Sequence, residues 1–312
     1  MLINKLEAQE IQSLIKGVVL FNESMSKHTY YGIGGPARSY IIPEDREDLS
    51  KIIVYSMERN IKTYFLGSGS NILVNDKGLN GIVITPIRSL NKLRINGEKV
   101  FAESGLMLGK LVLETIKKNL TGLESLSGVP GTLGGAIKMN AGAYGQEISN
   151  YLYSIEVMNK YGLINNLSKN DIQFNYRSSS FKSDYFILSS KFKLEKSESL
   201  SIKKIKKSAS IDRRKSQPLR FRSAGSVFKN PPSGPPAGYL IDQSGLKGYK
   251  KGDAQISEKH ANFFINHGKA TSDDIIYLIK KAKNEVNKKF GIILELEIKI
   301  LGYTDFKEFI ND

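Results

Sequence analysis

The chain has no cysteine, no tryptophan and only three histidines in 312 residues. Without thiols there is neither a disulfide framework nor a thiolate metal site. With only three histidines, His28, His260 and His267, no metal is expected. No run of about 18 apolar residues occurs, so no membrane insertion is expected. Neither G-x-G-x-x-G nor G-x-x-x-x-G-K-[ST] is present, so neither a dinucleotide fingerprint nor a P-loop is supported. Acidic residues are also scarce: 31 Asp and Glu stand against 46 Lys and Arg, a net charge of +15. Much of that excess is lysine on helical stretches such as Lys203, Lys204, Lys206 and Lys207, with no nucleic-acid recognition module in sight. Surplus positive charge equally steers small polyanions, and no nucleic-acid partner is expected. The N-terminal MLINKLEAQEIQSLIKGVV places Glu7 and Glu10 among apolar residues, as an amphipathic helix does and a signal peptide does not; a cytoplasmic protein is expected.

Glycine is abundant, and its distribution is informative. Ser127 to Gly145 reads SGVPGTLGGAIKMNAGAYG, with six glycines in one stretch. Glycine's entropic cost means that such a stretch persists where backbone must come very close to something. Bare N–H groups at turns and helix N-termini bind phosphate oxygens. A flexible linker would lack the interspersed Val129, Pro130, Leu133, Ile137, Met139 and Tyr144, which anchor an ordered loop feeding a short helix. A second turn, Gly67-Ser68-Gly69-Ser70-Asn71, connects short strands at Tyr64 to Leu66 and Ile72 to Val74. Alone, that turn reads equally as a phosphate cradle or a tight hairpin; beside the longer glycine-rich stretch, the cradle is favoured.

The periodicity alternates between strand and helix. A strand is expected near Ser39 to Ile42, and a helix over Glu44 to Arg59 with Leu49, Ile52, Ile53 and Met57 on one face. Short strands are expected at 62–66, 72–74, 81–84, 92–95 and 98–103, and a helix over Met107 to Lys118. Further strands are expected near 151–158, 172–176 and 185–194. Lys193 to Lys215 is a basic helix or linker and marks a boundary. Beyond it come a short helix at Tyr239 to Gln243 and a long helix from Thr271 to Lys289, with Thr271-Ser272-Asp273-Asp274 as its cap. A last strand, Ile292 to Leu301, alternates apolar Leu294, Leu296, Ile298 and Ile300 with Glu295, Glu297 and Lys299. The fold class is α+β, two-lobed in its first half.

Seven stretches in this order resemble the UDP-N-acetylenolpyruvoylglucosamine reductase (MurB) family. They are HTYYGIGGPA (28–37), LGSGSNILV (66–74), SGVPGTLGGAIKMNAGAYG (127–145), YRSSSFK (176–182), AGSVFKNP (224–231), GDAQISEKHANFFIN (252–266) and LELEIKILG (294–302). The resemblance implies a two-lobed FAD-binding unit of the vanillyl-alcohol-oxidase (PCMH) type plus a C-terminal α+β substrate-binding domain. The expected division is an N-terminal helical extension over 1–26, the FAD-binding unit over 27–215 and the substrate domain over 216–289. The segment 290–312 then carries the catalytic glutamate back to the FAD-binding unit. Too few positions separate Arg177 from Ser226 for the substrate-covering loop of some members, so the chain resembles the type II subgroup.

The family implies non-covalent FAD, NADPH as co-substrate and UDP-N-acetylglucosamine enolpyruvate as substrate, reduced to UDP-N-acetylmuramate in peptidoglycan precursor synthesis. Hydride comes from flavin N5. FAD is expected at Gly67, Ser68, Gly69, Ser70 and Asn71, and at Ser127, Gly128, Pro130, Gly131, Gly134, Gly135, Ala136, Asn140 and Gly142. Arg177 matches the family's catalytic arginine, Glu297 its glutamate and Ser226 its proton donor. Hydride addition to an enol ether develops charge on the carboxylate and calls for one placed proton, chemistry that these groups suit. Periodicity alone does not choose Glu297 over Glu295. Lys215, Lys229 and Asn230 are expected at the substrate's diphosphate or uridine, and a monomer is expected. A flavin-dependent sugar or lactone oxidase of the same fold, and a non-enzymatic basic protein binding anions or nucleic acid, are the competing readings.

Overall fold

The computed structural model describes residues 5–303; the first four residues and the tail after Tyr303 lie outside the described residues. The helices are α1 (Lys5–Leu14), α2 (Arg46–Glu58), α3 (Leu108–Lys117), α4 (Leu133–Lys138), α5 (Ser199–Ser216), α6 (Ala237–Gln243) and α7 (Ser272–Phe290). The chain divides into two compact units. One holds the residues up to Asn22 together with Arg38–Ser68 and Gly81–Arg213, the other Glu23–Ala37, Gly69–Asn80 and the chain from Arg214 onward.

The first unit has two hydrophobic cores. One packs α1 and α2 through Ile11, Leu49, Ile52 and Ile53 onto Ile41, Ile82 and Ile84. These three belong to a four-stranded sheet ordered Val18–Ser24, Pro36–Ile42, Leu79–Ile84, Thr63–Phe65. The other packs α3 and α4 onto a five-stranded antiparallel sheet. Its order is Ile164–Ser168, Leu152–Met158, Phe186–Lys193, Lys99–Glu103, Leu93–Asn96. α3 buries Leu108, Leu111, Val112 and Ile116, each contributing about 1.5–3 kcal/mol of apolar burial. In the second unit α6 and α7 cover a three-stranded antiparallel sheet (Lys250–Lys251, Ala254–Ile256, Phe264–Asn266), around Leu240, Ile256, Phe264, Ile275 and Ile279.

Several elements differ from the sequence expectation. The N-terminal helix stops at Leu14, and Val18–Ser24 is a strand. The break is imposed at Gly17, where a Cβ would overlap the Ile42 carbonyl and where Asp48 accepts from the Lys16 and Gly17 amides at 3.0 and 2.8 Å. The strand expected near 172–176 reduces to Phe174–Asn175 paired with Ser178–Ser179, after a 3₁₀ turn whose Ser168 and Asp171 form a capping box. Ile164–Ser168 forms a strand despite its polar INNLS sequence, because it completes the ladder on Leu152–Met158. The expected strand 292–301 keeps only Lys299–Leu301. The amides of Glu297 and Ile298 both point at the Val227 carbonyl (2.8 and 3.4 Å), which bends the chain there.

Candidate functional site

The Gly67 to Asn71 turn is not a hairpin. Thr63–Phe65 pairs in parallel with Leu79–Ile84, whereas Ile72–Val74 pairs in parallel with Lys299–Leu301, so the turn delivers the chain from one sheet to another. The chain changes unit inside it, between Ser68 and Gly69.

In the first unit, Gly67 lies directly against Thr132, whose Oγ1 a Cβ would overlap, so the turn and the long glycine-rich stretch meet. Gly128 and Gly131 adopt φ of 82° and 129°, which glycine alone takes readily. Gly134 is glycine for a different reason: a Cβ there would stand 2.9 Å from Ser104 Cβ. The expectation of bare amides is corrected at the start of α4. The Leu133 and Gly134 amides donate to the Leu106 and Ser104 carbonyls, each at 2.8 Å. What this region does offer is a set of buried polar atoms without a partner among the described residues: the hydroxyls of Ser68, Ser104 and Ser125, and Asn140 Oδ1. Buried polar atoms require partners, and three hydroxyls with one amide oxygen suit phosphate and polyol groups. FAD carries both, so these residues fit the group implied by the resemblance. Ser127 is half-buried, Ala136 is buried, and Gly128, Pro130 and Gly135 are exposed.

The same unit positions Arg177. It occupies the turn of the Phe174–Ser179 hairpin with φ 53°, an uncommon conformation for a non-glycine residue. The hairpin is tied to the end of α4. Ser179 Oγ donates to the Lys138 carbonyl at 2.6 Å, and Lys138 Nζ donates to the Phe181 carbonyl at 3.0 Å. The guanidinium lies over the Tyr176 ring, 4.9 Å from its centroid. A Cβ on Gly142 would come within 3.2 Å of Arg177 Nη1. The glycine-rich stretch and YRSSSFK are therefore one structure.

In the second unit, Gly69 (φ 69°) packs so closely on His28 that a Cβ would overlap its carbonyl oxygen, and its own carbonyl accepts from Tyr30 N at 3.1 Å. Ser70 beside it is half-buried. Asn71 grips the C-terminal segment: its carbonyl accepts from Lys299 N (2.9 Å) and its Nδ2 donates to the Glu297 carbonyl (3.2 Å). AGSVFKNP threads between two other segments. On one side Val227 N donates to the Asn262 carbonyl (2.8 Å), and the buried Asn262 side chain bonds Phe228 twice, at 2.9 and 2.8 Å. On the other, Lys229 N donates to the Glu295 carbonyl and Glu297 N to the Val227 carbonyl, both at 2.8 Å. Ser226 and Glu297 are thus held on adjoining backbones. Glu295 and Glu297 differ sharply. The Glu295 side chain is 74% exposed and pairs with Lys229 at 3.4 Å, whereas Glu297 is half-buried.

Sequence reasoning left Lys299 on a solvated face. Its ammonium is lowered from the ordinary lysine range by desolvation of the head group and then by Lys229, with Glu297 opposing. A cation two residues from a candidate catalytic carboxylate was the available signal. Asn230 Oδ1 accepts from Ala237 N at 3.1 Å and so closes the start of α6. Lys215 is exposed at the end of α5. His260 is lowered from its ordinary value, first by burial and then by Lys247, and its Nδ1 accepts from Asn262 N at 3.2 Å. Among the described residues no cluster of His, Asp and Glu could hold a metal ion.

The fold and these residues are those of an FAD-containing oxidoreductase. Residues 37–168 match the family model described as "FAD binding domain", and 217–301 match "UDP-N-acetylenolpyruvoylglucosamine reductase, C-terminal domain". The reductase of Carboxydothermus hydrogenoformans is 43% identical over 94% of this chain and 97% of its own. That of Chloroherpeton thalassium is 41% identical over 96% and 98%. The crystal structure of the reductase from Thermus caldophilus superposes with a TM-score of 0.79 at 32% identity, covering 92% of this chain and all of that one. The chain belongs to the UDP-N-acetylenolpyruvoylglucosamine reductase family.

Proposed function

We propose that the protein reduces UDP-N-acetylglucosamine enolpyruvate to UDP-N-acetylmuramate with NADPH, acting as a cytoplasmic monomer in peptidoglycan precursor synthesis. It would thereby serve cell-wall biogenesis, cell shape and division. No helix among the described residues is long and apolar enough to cross a membrane, which accords with that setting. Bound FAD would supply hydride chemistry, linking NADPH to the enolpyruvyl double bond. The observation that carries the reading is the backbone hydrogen bond from Glu297 N to the Val227 carbonyl, which ties the residue after Ser226 to the backbone of Glu297, whose side chain is half-buried where that of Glu295 is exposed.

Four residues divide the work of reduction. Arg177 pairs with the substrate carboxylate as charge develops on it, a task for a planar cation that keeps its charge. Ser226 gives its proton to the carbon next to that carboxylate, and Glu297 and Lys229 keep its hydroxyl oriented. Lys215, Lys229 and Asn230 receive the diphosphate or uridine. Ser226→Ala tests the assignment by separating the half-reactions. The variant is expected to keep FAD and to be bleached by NADPH at near-normal rate, while reoxidation by the enolpyruvyl substrate slows ~10²–10⁴-fold. Slow bleaching with normal reoxidation would instead place Ser226 at the nicotinamide.

A further inference from the structure

Helix α5 turns its apolar side chains two ways. Ile202 and Ala209 are buried, and Ile202 joins the core of α3 and α4. At about 100° per residue, Leu200, Lys204, Lys207 and Ile211 form a row on the opposite side, with Lys203 beside it and Ile205 between the two faces. All five residues of that outer face are exposed, Leu200 to 79% and Ile211 to 39%. Single exposed apolar residues are ordinary, but these two bracket an unbroken cationic row about 16 Å long. The lysines differ from others in this unit. Lys16 and Lys51 pair with Glu47 at 3.3 and 2.7 Å, and Lys117 pairs with Glu114 at 2.8 Å. Lys203, Lys204 and Lys207 make no ion pair among the described residues. The one carboxylate of α5, Asp212, lies about 120° round the helix from Leu200.

We propose that this face of α5 docks on an anionic lipid surface, with Leu200 and Ile211 in the interface and Lys203, Lys204 and Lys207 at the headgroups. The proposal goes beyond the reductase reading and does not depend on it. Long lysine stems let the ammonium groups reach lipid phosphates while the helix lies flat and the aliphatic side chains leave water. Charge complementarity sets the class of partner: an unpaired cationic row is drawn to a leaflet of anionic lipid. A nucleic acid would find no aromatic side chain on the row to stack a base, and would leave Leu200 and Ile211 in water. A small anion would find a convex helix rather than a cradle. Two aliphatic anchors and three lysines make the attachment peripheral and reversible.

The test is co-sedimentation of the FAD-loaded, full-length protein with vesicles of phosphatidylcholine alone or of equimolar phosphatidylcholine and phosphatidylglycerol. Binding is expected only with phosphatidylglycerol, and it is expected to weaken as salt rises. Lys204→Gln with Lys207→Gln is expected to lower affinity ~10–30-fold, about fivefold per lysine. Leu200→Ser with Ile211→Ser is expected to lower it ~10-fold. Flavin content and melting temperature should match wild type in both; where a double variant melts early, Lys204→Gln and Leu200→Ser alone carry the comparison. Lys16→Gln with Lys51→Gln removes the same charge from a paired cluster and is expected to change binding by less than about twofold. The proposal is overturned if the protein ignores phosphatidylglycerol at low salt. It is overturned equally if the Lys16 and Lys51 variant loses as much as the Lys204 and Lys207 variant, since net charge would then suffice. Wild-type binding by the Leu200 and Ile211 variant would also overturn it, leaving headgroup adsorption alone. Tight binding of single-stranded DNA that depends on Lys204 and Lys207, without vesicle binding, would assign the face to nucleic acid instead.

Discussion

Gly134 and Gly135 are neighbours in the sequence with opposite tolerance for a side chain. A Cβ at Gly134 meets Ser104 at 2.9 Å, whereas one at Gly135 finds only Thr132 Oγ1, at 3.6 Å. Gly134→Val is therefore expected to cost about 1–3 kcal/mol by overpacking, and Gly135→Ala to be neutral in urea denaturation while keeping its flavin. Equal losses in both variants would contradict this explanation of the glycines. His260 gives a pH signature. Its folded pKa is depressed, so the unfolded chain binds the proton more readily; its contribution is fully present above the unfolded value, about 6.5, and is lost as pH falls below it. The drop in melting temperature from pH 8 to pH 5 is expected to be smaller in His260→Asn than in wild type. An unchanged drop would remove His260 from the acid sensitivity.

At the scale of elements, α7 was legible from end to end. Thr271 accepts from Asp274 N and Asp274 reaches back to Thr271 N, a capping box, and Gly291 closes the helix at φ 67°. Thr271→Ala is expected to lower stability by about 0.5–2 kcal/mol, measured by urea titration, and no change would mean that the cap is redundant. The helices α2 and α3 and the strands Lys99–Glu103, Leu152–Met158 and Phe186–Lys193 were readable from periodicity for the same reason: their cores are local apolar faces. The readable part ended where tertiary contacts override local preference. Polar Ile164–Ser168 became a strand because Leu152–Met158 offered a partner. The smooth alternation of 292–301 hid a bend forced by Val227. At the site, motifs pointed to Arg177, Ser226 and Glu297, and only the motif, not periodicity, told Glu297 from Glu295. The two differ in burial, Glu295 exposed and Glu297 half-buried, and burial is set by distant segments.

At the scale of the whole molecule, a net charge of +15 attracts small polyanions as readily as nucleic acid. Affinities for NADPH and the UDP-sugar are expected to weaken with salt, while random DNA binds weakly at physiological ionic strength. Tight DNA binding under those conditions would overturn that reading of the charge. Reductase chemistry itself is tested most directly by one turnover. The FAD-loaded protein is reduced with NADPH without oxygen, then mixed with either UDP-N-acetylglucosamine enolpyruvate or oxygenated buffer. The account predicts rapid return of the yellow colour with the UDP-sugar, with one UDP-N-acetylmuramate formed per flavin, and slow return with oxygen. Rapid reoxidation by oxygen with none by the UDP-sugar would contradict it and make the protein an oxidase.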